Sequence, residues 1–439
     1  MVRTGRRTVG RTHAGAWGGH YHRPVPEDLT AATIDRAADR LRTVVRLTPL
    51  ETSDRLSASA GGPVLLKRED IQVGRSYKVR GAYNVIASLD PDQRRRGVVC
   101  ASAGNHGQGL AFACSQLQLR GRVFLPTSTP RQKRQRIEAI GGSWVELIVT
   151  GGTYDEASEA AHEDCLRTGA VYVHAFDDAR TIAGQGTVAI EIAEQSGGPV
   201  GTVVVPVGGG GLIAGIALWF RERSPDTRIV GVEPEGASSM GAALVAGHPV
   251  ELEAMDTFVD GAAVSRVGDL TFPLVRDLVD EMIPVPEGAV CSEMLDLYQS
   301  EGIIAEPAGA LASAALRLGG VAVTGTTVCI LSGGNNDVSR YAEIVERSLI
   351  YEGLRHYFLV TFSQEPGSLR RFLDDVLVAG EDIIAFEYVK KNNRETGPAL
   401  VGIELERSTD LEGLLVRMRA SPLEVEPVPR GSPLFSFLL

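Results

Sequence analysis

Eight short apolar runs constrain this chain more than any other feature: GPVLLK, RGVVCAS, GRVFLP, SWVELIV, AVYVHAF, GTVVVPVGG, TRIVGVEP and TTVCILSGGN, between residues 62 and 335. Each is rich in β-branched residues and nearly continuous rather than alternating. A strand needs that composition when both of its faces are buried. The segments between them are long enough for helices, and YDEASEAAHEDCLRTG and GTVAIEIAEQSGG are the clearest, both closing on glycine. Strand alternating with helix predicts an α/β fold built on open parallel sheet with helices on each side. Several strands run directly into Gly, Ser or Asn, and such sheets bind ligands at the carboxyl ends of their strands.

The pattern changes after residue 350. RHYFLVTF reads as a strand, QEPGSLRRFLDDVL as a helix opening after Pro-Gly, and DIIAFEYVKK and PALVGIELE as two strands around the turn NNRETG. DLEGLLVRMRAS is helical and PLEVEPV a last short strand, so the order is βαββαβ, a ferredoxin-like unit present in one copy. We therefore expect three parts: an N-terminal extension over 1–27, a main domain over 28–350 and a small domain over 351–439.

With 439 residues, the chain can bury a large core without disulfides or metals. A net charge of −11 argues against a general nucleic-acid surface. No apolar run reaches the roughly 18 residues of a membrane span. Cys100, Cys114, Cys165, Cys291 and Cys329 are scattered, odd in number and without a CxxC pair, as expected of buried thiols in a reducing compartment, the cytoplasm. The first 25 residues carry five arginines and no acid, yet lack the apolar stretch of a secretory signal. A flexible extension and an organelle transit peptide both fit. His13, His20 and His22 read as stray tail histidines, and no metal site is expected.

Lysine is scarce: of 44 basic residues only Lys67, Lys78, Lys133, Lys390 and Lys391 are lysine. A primary amine can condense with an aldehyde, which a guanidinium does not usefully do. Lys67 lies beside Arg68 and Glu69, where a salt bridge is expected. Lys133 sits in the charged RQKRQR, and the last two belong to the small domain. Lys78, in GRSYKVRGAYN, has small and polar neighbours near a helix start; on composition alone a structural or substrate-binding lysine remains the plainer alternative.

Two strand ends stand out. TVVVPVGGGGLIAGIALWF, residues 202–220, leads a strand into Gly208 to Gly211 and a helix from Leu212, a backbone cradle suited to phosphate. It has no P-loop lysine. A dinucleotide site is a rival, because Glu233 and Glu235 follow a strand about 20 residues on. CASAGNHGQGLAFA, residues 100–113, offers Ser102, Gly104, Asn105 and His106 at a helix start, where a carboxylate would bind; alternatively Ser102 is only an N-cap. VCILSGGNND ends a further strand with Ser332 and is a weak signal alone.

Taken together, SYKVRGAYN, SAGNHGQG, GGGGL and LSGGNND, supported by YVHAFDD, TIAGQGT and EPAGA, resemble the pyridoxal-phosphate enzymes of the tryptophan-synthase β type. Within them the match is to the biosynthetic threonine dehydratases, or threonine ammonia-lyases, whose ACT-like regulatory domain EGLRHYFLVTFSQEPGSLRRFL also resembles. The resemblance implies a two-lobed fold type II catalytic domain, with pyridoxal 5′-phosphate bound covalently by Lys78. It implies that Gly208, Gly209, Gly210, Gly211 and Leu212 hold the phosphate, that Asn105 meets the phenolic oxygen, and that Ser332 faces the pyridine nitrogen. The substrate carboxylate would lie against Ser102, Ala103, Gly104, Asn105 and His106. A neutral hydroxyl at the ring nitrogen makes a weaker electron sink than a charged partner, which suits prompt β-elimination.

The implied reaction is conversion of L-threonine, with L-serine a poorer substrate, to 2-oxobutanoate and ammonia. Isoleucine, with valine as a possible opponent, would act at the small domain, and a homotetramer is the common assembly. Tyr77 stands where relatives usually carry Phe. Ala103 stands where racemases of this fold place a second serine, which counts against racemisation, and Ser239 stands where their cation site needs an acid. Serine dehydratase and threonine synthase chemistry, an NAD-binding oxidoreductase and a catalytically silent amino-acid sensor worked by the small domain remain the competing readings, and a purely structural, oligomer-forming tail is the alternative to a regulatory one.

Overall fold

The computed structural model describes residues 25–388, 395–429 and 432–438. The N-terminal histidines, Lys390, Lys391 and the first half of the NNRETG turn lie outside them.

The strands are β1 (Leu50–Thr52), β2 (Val64–Arg68), β3 (Val98–Ala101), β4 (Gly121–Leu125), β5 (Val145–Val149), β6 (Val171–Tyr172), β7 (Val200–Pro206), β8 (Arg228–Pro234), β9 (Glu281–Val285), β10 (Thr326–Leu331), β11 (Arg355–Ser363), β12 (Glu381–Tyr388), β13 (Thr396–Leu405) and β14 (Glu424–Pro427). They form three sheets. The largest has six strands in the order β1-β2-β10-β7-β8-β9, parallel except for the β1 edge. The second is fully parallel, in the order β5-β4-β3-β6. These two sheets form the two expected lobes.

The central strands are buried along their length, β3 at every residue and β7 at all but one. Edge strands depart from the sequence reading. β9 was not expected, and it carries Pro284, which an edge strand tolerates because its N–H side need not complete a ladder. AVYVHAF yields a ladder only at Val171 and Tyr172, because the chain then turns to fold His174 back on its own backbone. Of the five cysteines, four are buried and Cys165 is half-buried, all free thiols.

The third sheet, order β12-β13-β11-β14, is antiparallel, with the helices Ser368–Val376 and Leu411–Ala420 completing the βαββαβ order. Phe358, Val360, Phe362, Phe372, Val401 and Met418 share its core. Arg355 and Tyr357 at its start both reach Glu346 on the preceding helix Tyr341–Tyr351.

Candidate active site

Both lobes deliver their functional segments at carboxyl ends of strands. β10 and β7 are neighbours, so Ser332, following β10, and the glycine run following β7 share one rim of the large sheet. Lys78 is brought to this rim by its own backbone. Tyr77 N–H donates to the Ser332 carbonyl at 3.3 Å, Ser76 bridges Gly333, and Gly334 N–H donates to Arg75 O at 2.9 Å. Lys78 then opens the helix Lys78–Ala87. The Lys78 Nζ lies 5.0 Å from the centre of the Tyr77 ring. No carboxylate among the described residues pairs with it, in contrast to Lys67, bound to Glu191 at 2.6 Å, and Lys133, bound to Asp260 at 3.1 Å.

The glycine cradle is shaped by what surrounds it. A Cβ on Gly209 would lie 2.3 Å from the Phe176 ring, one on Gly211 2.9 Å from Phe176 Cα, and one on Gly208 2.9 Å from the Ala262 carbonyl. Gly210 has φ +91°, a left-handed conformation that favours glycine. Thr271 Oγ1 donates to Gly209 O at 2.6 Å, and the Asp177 carboxylate in turn accepts from the Leu270 amide at 2.8 Å. Among the described residues none accepts from the amides of Gly208, Gly209 or Gly210, and Gly211 and Leu212 open the helix Gly211–Arg223, whose first-turn amides have no intrahelical partner. A ring of outward amides at a helix N-terminus fits a phosphate group.

On the other lobe, the helix Asn105–Leu117 begins two residues later than a Ser102 N-cap would require: Gly104 is the N-cap, and Ser102 Oγ accepts from Gly104 N–H at 3.2 Å. Ala103 is half-buried beside the lobe core. His106 turns its ring inward, with Nε2 donating to the Val173 carbonyl at 2.7 Å. Burial pushes its pKa down to about 3, so the ring is neutral at pH 7. Only its backbone amide stays with the Ser102–Gly104 loop. Asn105 points across the lobe boundary, its Nδ2 donating to Glu306 Oε1 at 2.7 Å. Ser332 Oγ is buried 3.2 Å from the Ala308 carbonyl.

Glu233, the rival ribose ligand, is spent elsewhere: its two oxygens accept from Met240 N at 2.6 Å and Gly241 N at 2.8 Å, capping the helix Ser239–Ala246. Sequence reasoning gave no role to Phe176, Thr271, Glu306 or Asn335. The signal for Glu306 was visible in EPAGA, a lone acid before a proline that opens a small-residue helix.

These features define a pyridoxal-phosphate type of site, and comparison with known proteins is specific. The family of pyridoxal-phosphate dependent enzymes matches residues 41–333, and the C-terminal regulatory domain of threonine dehydratase matches residues 346–438. The biosynthetic L-threonine dehydratase of Mycobacterium tuberculosis is 58% identical over 413 residues, 94% of this chain and 96% of that one. That of Corynebacterium glutamicum is 53% identical over 94% of this chain and 96% of that one. The processed threonine deaminase isoform 2 of Solanum lycopersicum superposes with a TM-score of 0.70 at 37% identity, covering 74% of this chain and 90% of that one. The chain belongs to the pyridoxal-phosphate dependent enzymes and, within them, to the biosynthetic L-threonine dehydratases.

Proposed function

We propose that this chain converts L-threonine to 2-oxobutanoate and ammonia, the first committed step of isoleucine biosynthesis, with residues 28–350 as the catalytic part and 351–439 as the regulatory part. The observation that carries the reading is the meeting, on one sheet rim, of an amine and a glycine cradle that find no acid partner and no amide acceptor among the described residues, in a chain related to dehydratases along almost its whole length. L-Serine is the poorer substrate.

Bound pyridoxal 5′-phosphate supplies an aldehyde and a conjugated ring that withdraws electrons from the bonds at the amino acid's α-carbon. Lys78 Nζ is the covalent anchor, and the freed amine is the base that takes the α-proton. The amides of Gly208 to Leu212 take the phosphate. Asn105 takes the phenolic oxygen and Ser332 the ring nitrogen, where a neutral hydroxyl does not enforce protonation. The substrate carboxylate sits against the Ser102, Ala103 and Gly104 loop and the first amides of the following helix, those of Asn105 and His106. The buried, neutral His106 ring adds no charge there.

The regulatory reading is that isoleucine inhibits from the small domain, opposed by valine, in a homotetramer of the cytoplasm. Supporting it, a cavity of about 470 Å³ opens beside the helix Ser368–Val376. Arg371 and Asp375 border it, with Phe372, Val376 and Leu423 on its apolar side, a lining matched to an amino acid with a branched side chain. Among the described residues no helix is long and apolar enough to cross a membrane.

Keto-acid release from threonine and from serine, with and without isoleucine, tests the whole reading. Faster release from threonine, falling with isoleucine, supports it. Borohydride reduction followed by peptide mapping places the cofactor label, and a label on any residue other than Lys78 rejects the assignment.

A further inference from the structure

Asn105 is held in a closed ring of side chains that joins the two lobes. Its Nδ2 donates to Glu306 Oε1 at 2.7 Å and its Oδ1 accepts from Asn335 Nδ2 at 2.6 Å. The Asn335 backbone N–H closes the ring on Glu306 Oε2 at 3.2 Å, and Asn335 Nδ2 is itself tied to the Gly74 carbonyl at 2.7 Å. Glu306 is buried and stands at the N-cap position of the helix Pro307–Arg317, yet its side chain makes no cap bond to that helix. Both carboxylate oxygens are turned to other segments instead.

The chemistry of the ring fixes which way the Asn105 amide faces. Glu306 accepts at both oxygens, from Asn105 Nδ2 and from the Asn335 backbone N–H, so Asn105 presents its NH₂ end to Glu306. The Asn335 NH₂ only donates, so Asn105 must present its oxygen there. The two demands agree. Asn105 Nδ2 has two protons and Glu306 takes one, which leaves the second with a direction already set.

We propose that Glu306 is a positioning residue for the cofactor: through this ring it orients the Asn105 amide so that its second N–H is presented to the cofactor's phenolic oxygen. The inference rests on the reading of Asn105 given above. It adds Glu306 and Asn335 to the machinery without having them touch the reacting atoms.

The test is E306Q, which keeps volume but replaces one acceptor by a donor. Either orientation of the new amide then sets N–H against N–H, at Asn335 or at Asn105. Apo protein is titrated with pyridoxal 5′-phosphate, and the affinity and the visible absorption and circular dichroism of the bound cofactor are read for wild type, E306Q, N105A and the double variant. E306Q is expected to weaken binding by about 10-fold or more and to move the visible band, the scale of one hydrogen bond to a charged group. In the N105A background the same change is expected to alter affinity by less than about 2-fold, because coupled sites are not additive. Wild-type affinity and band in E306Q, or an equal loss in both backgrounds, overturns the proposal. N105A that binds as wild type removes the Asn105 reading and this inference with it, whereas a weakened N105A beside an unaffected E306Q removes the inference alone. Should E306Q not fold, E306D serves: its acceptor-only carboxylate is expected to keep the wild-type band at reduced affinity, and a displaced band in E306D counts against the proposal.

Discussion

Lys78 and Arg80 are two residues apart on one helix and live in opposite electrostatic worlds. Arg80 is buried and fully matched: a forked pair to Glu69 at 2.7 and 2.9 Å, and a further contact to Glu191 at 2.7 Å. Lys67 joins the same network through Glu191 and the Thr48 carbonyl, and Thr48 Oγ1 completes Glu69 at 2.6 Å. Among the described residues Lys78 has the Tyr77 ring and no acid. Charge that holds the fold together is delivered with its partners, and the charge reserved for chemistry is left without one. A bidentate guanidinium suits the first task and a condensable amine the second.

K78R tests the chemical half, with the largest expected effect. It preserves the positive charge and removes the amine, so keto-acid release is expected to fall by about 10⁴-fold or more, while the unfolding free energy stays within about 0.5 kcal/mol of wild type. Substantial turnover in K78R would erase the distinction. R80M tests the structural half. It strands Glu69 without its guanidinium, and truncating one partner of a buried pair costs about 3–5 kcal/mol. Urea unfolding at neutral pH reads this directly. An R80M midpoint no lower than that of K78R would mean the network carries no stability.

A smaller effect is expected at the cradle. G209A puts a methyl into the Phe176 ring, 2.3 Å from its nearest carbon, and that ring is packed edge-on against His174 at 4.6 Å. Overpacking of this kind costs about 1–3 kcal/mol, which we expect to appear as a loss of cofactor affinity of about 10- to 100-fold by titration. G198A is the control: a Cβ there meets nothing within 4 Å, and its affinity should equal that of wild type.

The same contrast explains what could be read from the chain and what could not. The cradle was legible because it is a local device, a buried strand, four glycines and a helix in consecutive residues. The βαββαβ unit was legible because alternation and turn residues mark each of its elements within a few positions. The salt bridge expected for Lys67 exists, but its partner is Glu191, 124 residues away on the helix Ala179–Gln195, and no local pattern points there. The ring of Asn105, Glu306 and Asn335 draws on segments 201 and 230 residues apart. Its members were quoted inside motifs, but only Asn105 received a role. β1 was missed because three residues carry no periodicity, and β9 because Pro284 breaks the strand pattern.

Buried carboxylates extend the comparison and give the finest test. Burial works to raise Glu69, but the Arg80 guanidinium outweighs it and holds the carboxyl below its ordinary value. Among the described residues neither Glu233 nor Glu306 is paired with a cation, and Lys133 pulls Glu306 down by less than burial and the Asp260 charge push it up. Burial pushes each up to about 7 from an ordinary 4.5, against the pull of their hydrogen bonds. A carboxyl raised in the folded state binds more protons folded than unfolded between those two values. Its contribution to stability is therefore full below about pH 4.5 and is lost as pH rises through about 7, with a slope of up to about 1.4 kcal/mol per pH unit. Glu69 has the opposite sign, its contribution being lost only as pH falls through its depressed value. E233Q cannot ionise, so its stability relative to wild type should improve steadily from pH 4.5 to 7, whatever its offset at pH 4.5. Urea midpoints at half-unit pH intervals measure this difference. A constant difference across the interval would mean that Glu233 is already charged at low pH, and that two backbone amides satisfy a buried carboxylate as well as an arginine does.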